Sequence, residues 1–452
     1  MRTLHAAAAS IVLALAIWLS SGTLAPYAQL LPPRLTEPCH YPLNVDHEKN
    51  IAFLLLLEGA DREQWVSSSV LRRILYPALA YPFVRLAGHL AGGVLWNIVM
   101  TVAAMLAFSR FVELRYGATA ARAVVWLLAT YPGITYWAGL PYPYAAIVPV
   151  SLVAAMLLYR MDSASTTREI ALLGIALGVV LLAYDLAPFF IPAAMLVLLR
   201  RKKWRWSALV AALAVAPTVA VQAVLWLSGV TLLNENTQGY LRVLMAYRHP
   251  GIRNPGLGAW FAYLERLPQV FVANYFDSNF FFLPLLAIVA VVASGSWRKS
   301  VGRVEAAIFL AVLAVFLFNN AAPPYYGWQL RGVWIPRLYQ LVFVALLLCV
   351  ARALGVVAAP WRRRLLTVAI IVTMVANATI AFGPMMMNPV AFNLDYRFYR
   401  HASPEAFAEN LRIYGRRPLG FCDPEGEAVH RLPRPLPTQL EPFAYRPEPP
   451  SR

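Results

Sequence analysis

Acidic and basic side chains that could do chemistry gather in a long polar stretch near the start of the chain. Asp46, His47 and Glu48 begin it, and Arg72 and Arg73 follow in a partly apolar segment. A carboxylate that is partly removed from water can accept a proton from a substrate hydroxyl. Neighbouring arginines can hold a phosphate through paired N–H donors. The stretch predicts Asp46 as a candidate base and the two arginines as phosphate ligands; a solvated acidic loop and general headgroup binding are the competing interpretations.

Metal and disulfide chemistry have weaker support. Asp46, His47 and Glu48 are too close in sequence to converge on one ion without a turn, and no Cys/His run has ligand spacing. A divalent metal therefore stays open as a cofactor, with no ligand assigned. Cys39 and Cys422 both fall in polar segments assigned to the same outer face, where an oxidising compartment would allow a disulfide.

Two further arginines lie in and after the polar loop at 319–334. Arg337 is two residues inside a predicted membrane span, and a charge at that depth marks a functional site by default. It can equally extend outward to the headgroups. Arg331 lies nearer the surface, and a lipid-linked phosphate at the outer leaflet would fit either side chain.

Asp185 and His249 complete the candidates. Asp185 interrupts two short apolar segments, and acids inside a membrane are uncommon. Capping of the helix that begins near Pro188 is an equally good interpretation of Asp185. His249 lies in the longest interior polar stretch, 228–279, and is a further possible site member.

The elements that must position these residues are membrane helices. Hydrophobic residues make up 60% of the chain and charged residues 13%, whereas soluble proteins are about 25% charged. Apolar runs near the ~20 residues that cross a bilayer recur from end to end. The sequence predicts an all-α, polytopic membrane protein with about eleven crossings, within a range of roughly nine to thirteen.

The net charge of +17 is explained by topology rather than by nucleic-acid binding. Basic clusters such as 200–203 and 362–364 directly follow apolar runs, as cytoplasmic loops do. We therefore expect the cytoplasmic (inner) membrane, an inside N-terminus, an outside C-terminal tail and no nucleic-acid partner. The first apolar run is expected to remain as a span rather than be cleaved as a signal peptide.

The predicted membrane domain covers 1–383, and a Pro-rich outer tail covers 384–452. The outer loops are 26–89, 228–279 and 319–334. The first of these loops carries predicted interfacial helices, in which Ile74 and Leu79 face the bilayer while Arg72 and Arg73 point elsewhere. An outer turn at 139–144 places its aromatics, including Tyr144, in the interfacial belt.

These features resemble the C-type (GT-C) integral-membrane glycosyltransferases, which include protein O-mannosyltransferase-like and aminoarabinose-transferase-like enzymes. The matching parts are Asp46 in the first outer loop, RRILYPALAYPF at 72–83 and GWQLRGVWIPRLYQ at 327–340. The likeness covers most of the spans as a pattern. In this chain His47 separates Asp46 from Glu48, whereas the family often has paired acids in this loop.

The resemblance implies transfer of a sugar from a polyprenyl-phosphate carrier to an acceptor at the outer leaflet. Asp46 would be the base, and Arg331 or Arg337, with Arg72 or Arg73, would stabilise the phosphate leaving group. Membrane lipid is the other implied partner, and the acceptor stays open. Two other functions fit the residues: a transporter or flippase of lipid-linked glycan, and a non-catalytic membrane subunit of an envelope assembly complex.

Overall fold

Every element in the computed structural model is helical within the residues it describes, which are 2–23, 73–139, 143–184, 186–227, 283–321 and 335–382. The helices are α1 (Arg2–Thr23), α2 (Leu75–Ala87), α3 (His89–Tyr116), α4 (Ala118–Ala129), α5 (Pro132–Ala138), α6 (Ile147–Ser163), α7 (Thr167–Leu181), α8 (Ala187–Arg200), α9 (Trp204–Leu227), α10 (Leu283–Ser294), α11 (Trp297–Ser300), α12 (Arg303–Ala321), α13 (Ile335–Val356) and α14 (Pro360–Phe382), with a 3₁₀ turn at Pro143–Ala146 before α6. The predicted all-α class is confirmed for this part of the chain.

Three stretches of helix in the described part are long and apolar enough to cross a bilayer, namely Ala91–Tyr116, Pro143–Ser163 and Trp204–Val224. Several other helices are apolar but shorter. The apolar helices are compatible with a membrane protein, since a crossing needs about 20 apolar residues. The figure of about eleven crossings stays a prediction.

Two apolar regions of the sequence are each divided between two helices. The apolar region between 170 and 199 forms two helices, α7 and α8, as predicted. A membrane span is also predicted from about 120 to 138, and within it α4 ends at Ala129 and α5 begins at Pro132. Proline lacks the N–H that would continue the helix and disfavours helical geometry in the residue before it. That residue, Tyr131, stacks on Phe343 of α13 with ring centroids 3.9 Å apart.

The core lies around α6 and α13. Helix α13 packs against α3, α4, α6, α10 and α12, and its described residues from Phe343 to Val350 are all buried. Helix α6 packs against α3, α7 and α8 as well. Most residues along these two helices are apolar and buried, which is the pattern of a helix surrounded by protein.

Two glycines bring α7 close to α9. Gly174 and Gly178 lie one turn apart on α7, in the small-xxx-small spacing that brings membrane helices together. A methyl group on Gly178 would collide with the backbone oxygen of Ala214 and lie 2.9 Å from the ring of Pro217. The glycine therefore allows the two backbones to approach.

Arginines close the carboxyl ends of helices at one end of the bundle. Arg201 donates from Nη1 to the carbonyls of Met161 (3.2 Å) and Ala164 (3.0 Å), at the end of α6. Arg363 donates to the carbonyl of Val357, beyond the end of α13, at 2.9 Å. Cations in this position satisfy orphan carbonyls and oppose the negative end of the helix dipole.

We call this the basic end of the bundle. It includes the helix connections at 117, 164–166, 201–203, 295–302 and 357–359. The arginine contacts and the Tyr116–Tyr159 hydrogen bond link these connections to one another. The loops predicted to be cytoplasmic therefore share one end. The start of α2 and the turn between α7 and α8 lie at the other end, where the amide of Leu75 donates to the carbonyl of Leu182 at 3.2 Å.

Candidate functional site

Of the predicted site residues, Arg73 and Arg337 fall in the described part of the chain. Arg337 lies in the first turn of α13, where only the backbone is described. The remaining predicted residues lie outside the described residues, and they are Asp46, His47, Glu48, Arg72, Asp185, His249 and Arg331, together with Cys39 and Cys422. The juxtaposition of Asp46 with the arginines stays a prediction.

Arg73 is a buried arginine, with 8% of its surface exposed. Its guanidinium carbon lies 4.4 Å from the centre of the Tyr184 ring and 5.8 Å from that of Tyr144. Cation–π contacts are worth about 2 kcal/mol or more when the partners are removed from water. The interpretation of Arg73 as a headgroup-facing surface residue is therefore wrong, because its charge faces two tyrosine rings inside the protein.

Three separate chain segments build this position. Arg73 lies two residues before the start of α2, Tyr144 lies in the 3₁₀ turn before α6, and Tyr184 lies in the turn after α7. The two tyrosine rings meet edge to face with centroids 5.8 Å apart. Tyr144 is buried, and its predicted place in an interfacial belt stays a prediction. Its ring packs between Arg73 and the edge of Trp137, whose centroid is 5.2 Å away.

A buried hydrogen-bond relay fixes α2 against the bundle beside Arg73. The hydroxyl of Tyr76 donates to Oδ1 of Asn97 at 2.8 Å, and Nδ2 of Asn97 donates to the carbonyl of Ala138 at 3.0 Å. Burial raises the pKa of the Tyr76 hydroxyl above its ordinary value, so it stays a donor. The two contacts use one acceptor and one donor of the Asn97 amide and so determine its orientation.

We define the Arg73 site as Arg73, Tyr76, Asn97, Tyr144 and Tyr184. It offers one buried cation, held against aromatic faces, in surroundings of low dielectric where charge interactions are strong. A guanidinium has five N–H donors, which suits it to bind an oxyanion with geometric specificity. Within the described residues, no three His, Cys, Asp or Glu side chains gather as a metal site.

A second polar cluster lies at the basic end, centred on Glu305 in the first turn of α12. Glu305 is fully buried, and its Oε1 accepts a hydrogen bond from the Tyr159 hydroxyl at 2.5 Å. The Tyr159 hydroxyl also lies 2.7 Å from that of Tyr116. Because Tyr159 has a single proton and gives it to Glu305, Tyr116 must be the donor to Tyr159. The hydrogen bonds therefore run from α3 through α6 to α12.

Two arginines accompany this carboxylate without forming an ion pair with it. The Arg115 guanidinium lies over the Tyr159 ring, 4.4 Å from its centre. A Cβ atom on Gly302 would lie 2.6 Å from both Nη1 of Arg352 and Oε2 of Glu305, so these two atoms are at most about 5 Å apart. The Oε2 atom has no hydrogen-bond partner among the described residues. Gly302 therefore leaves the space that the two charged groups occupy.

The two clusters are far apart. Tyr144 and Tyr159 are fifteen residues apart along one helical segment, which corresponds to about 22 Å. Glu305 was absent from the predicted site residues, although one sequence signal points to it. It is the only acidic residue between Asp277 and Asp395, and a lone acid beside an apolar run has to find partners inside the protein.

The sequence of this chain matches no known protein family and no curated protein, and its structure matches no solved structure.

Proposed function

We propose that this protein is a glycosyltransferase of the cytoplasmic membrane that takes a sugar from a polyprenyl-phosphate donor. The reaction takes place at the Arg73 end of the bundle, which faces outside, and the basic end faces the cytoplasm. This orientation follows the positive-inside rule, since the short loops with many Lys and Arg side chains lie at the basic end.

The chemistry needs one base and one stabilised leaving group. A nucleophilic acceptor atom, oxygen or nitrogen, forms a bond to the anomeric carbon as the bond from that carbon to the phosphate oxygen breaks. The electron pair leaves with the phosphate, where negative charge develops, and a buried cation stabilises that charge. The acceptor proton passes to a carboxylate, for which Asp46 is the candidate.

The observation that carries the proposal is the burial of Arg73 against Tyr144 and Tyr184. The rings contact the delocalised guanidinium. Its planar set of N–H donors can form two parallel hydrogen bonds to one phosphate, which a lysine ammonium cannot do. Because Tyr76, one turn along, is tied to Asn97, the start of α2 is held rigidly. A rigid cation needs no reorganisation when charge develops in the reaction.

Substitution of Arg73 tests this role. In purified full-length protein, Arg73→Gln is expected to lower kcat/KM for sugar transfer from a polyprenyl-phosphate donor by about 100-fold or more. Arg73→Lys is expected to restore only part of the activity, because it returns the charge without the planar fork. The measurement is transfer of radiolabelled hexose or pentose from the lipid donor.

Arg85→Gln is the matched control, because Arg85 is an exposed residue in the last turn of α2, the helix that Arg73 precedes. Its activity is expected to equal that of the unmodified protein. Full activity of Arg73→Gln would contradict the assignment. Movement of a labelled lipid-linked glycan between leaflets without a new glycosidic bond would favour the transporter instead.

Asp46→Asn tests the base separately. This substitution is expected to abolish transfer while binding of undecaprenyl phosphate, the probe for the lipid phosphate, is retained. Unchanged transfer would remove Asp46 from the mechanism and leave the role of Arg73 standing.

A further inference from the structure

Two tryptophan–arginine pairs lie at the basic end, one on α11 and one at the start of α14. The Arg298 guanidinium lies over the Trp297 ring at 5.6 Å, and that of Arg362 lies over Trp361 at 5.2 Å. Both rings are open to the surroundings, with 59% of Trp297 and 64% of Trp361 exposed. An exposed indole with a cation on its face is suited to the boundary between lipid tails and headgroups.

The two pairs belong to one surface because α10 packs against α14. Gly295, just beyond α10, has a φ of +76°, and a side chain there would lie 2.8 Å from Nη1 of Arg362. The positive φ favours glycine, and its missing side chain lets Arg362 lie at the carboxyl end of α10. This contact places the start of α14 beside the turn that carries Trp297.

The charge of this surface is positive and not balanced locally. Neither 283–304 nor 355–382 contains an acidic residue. Arg298, Lys299 and Arg364 are exposed, and the side chains of Lys299 and Arg364 have no hydrogen-bond or ion-pair partner among the residues that the structure describes. An anion that docks here meets cations only.

An apolar stripe runs away from the surface on both helices. Its exposed members on α10 are Val292, Ile288 and Leu285, and on α14 they are Leu365, Val368, Val372 and Val375. Within each helix these residues are three or four positions apart, so they form one continuous apolar face of that helix. From the bundle centre towards the basic end, the apolar side chains come first, and the indole rings and the cations follow them together.

We propose that this surface binds an anionic phospholipid, with its phosphate at Arg298 and Arg364 and its acyl chains along the apolar stripe. We call it the Trp–Arg surface and define it by Trp297, Arg298, Trp361, Arg362 and Arg364. The apolar stripe matches the acyl chains, and the cations and indole rings beyond it match the negative headgroup of a phospholipid. The lipid is a ligand at the end of the bundle opposite the Arg73 site.

Lipid titration of the purified full-length protein in detergent tests the proposal. Native mass spectrometry counts bound phosphatidylglycerol and phosphatidylcholine, and the thermal midpoint is followed in parallel. The unmodified protein is expected to bind phosphatidylglycerol more tightly. The double variant Arg298→Gln/Arg364→Gln is expected to lose affinity for it by about fivefold for each charge removed.

Arg200→Gln/Lys202→Gln is the matched control, since it removes two exposed charges from the loop between α8 and α9 at the same end. It is expected to change phosphatidylglycerol binding by less than about twofold. A loss as large as that of the Arg298/Arg364 variant would mean that net charge alone acts, and would overturn the proposal.

Two further outcomes are decisive. Trp297→Ala/Trp361→Ala keeps every charge and is expected to weaken phosphatidylglycerol about threefold or more through loss of the ring contacts. Equal affinity of the unmodified protein for both lipids would overturn the proposal. So would displacement of the lipid by millimolar glycerol 1-phosphate, because a free phosphate ligand needs no acyl chains.

Discussion

At the scale of single residues, the charged side chains that are buried among the described residues are Arg73 and Glu305, and they lie at opposite ends of the bundle. Arg73 is stabilised by tyrosine ring faces, whereas Glu305 is stabilised by a tyrosine hydroxyl. Taking a charge out of water costs several kcal/mol unless hydrogen bonds or partners compensate. Removing a side chain that contacts the charge directly should therefore cost more stability than removing one that contacts it through another residue.

Tyr159→Phe is expected to lower the free energy of unfolding by about 2–3 kcal/mol, because the buried Glu305 carboxylate loses its hydrogen-bond donor. Tyr116→Phe is the control and should cost about 1 kcal/mol, since Glu305 keeps its bond from Tyr159. Unfolding in mixed micelles by SDS titration measures both. A larger loss for Tyr116→Phe would contradict the direction of the hydrogen-bond chain.

At the scale of elements, close backbone approach determines which helices become neighbours. Helix α7 joins α9 through Gly174 and Gly178, and the two glycines differ in how tightly they pack. A Cβ atom on Gly178 would collide with a backbone oxygen, whereas one on Gly174 would meet the Leu213 side chain at 3.2 Å. A side chain can move aside more easily than a backbone that is fixed by helix hydrogen bonds.

Gly178→Ala is therefore expected to lower stability by about 1–3 kcal/mol through overpacking, despite the better helix propensity of alanine. Gly174→Ala should be nearly neutral, because the gain in propensity offsets the smaller repulsion. Thermal midpoints of the two purified variants, compared with the parent, give the result. Equal losses at both positions would show that α7 and α9 can separate at little cost.

At the scale of the whole molecule, the basic loops lie at one end and the Arg73 site at the other, as far apart as the length of α6. For a bundle that crosses a membrane, the two ends must face different compartments. The proposed function places the Arg73 end outside, and the Trp–Arg surface then contacts the cytoplasmic leaflet.

Single cysteines test this arrangement in a background lacking the natural ones. Lys202→Cys, Lys299→Cys and Arg364→Cys are expected to react with a membrane-impermeant maleimide only when added from the cytoplasmic side. Leu86→Cys, at the far end of α2 and 87% exposed in the parent, should react only from the outside. If the cysteines at the basic end and the cysteine at position 86 react from the same side, the proposal that the bundle crosses the membrane is contradicted.

The sequence by itself determined the helices, because apolar length and proline positions act locally. It also indicated which loops share an end, since basic residues concentrate there. Tertiary structure alone decided the partners of the charges. Arg73 meets Tyr144 and Tyr184 from distant parts of the chain, and Glu305 meets Tyr159 of another helix. No local pattern encodes such contacts, because they depend on helix rotation and packing, which arise only when the whole bundle assembles.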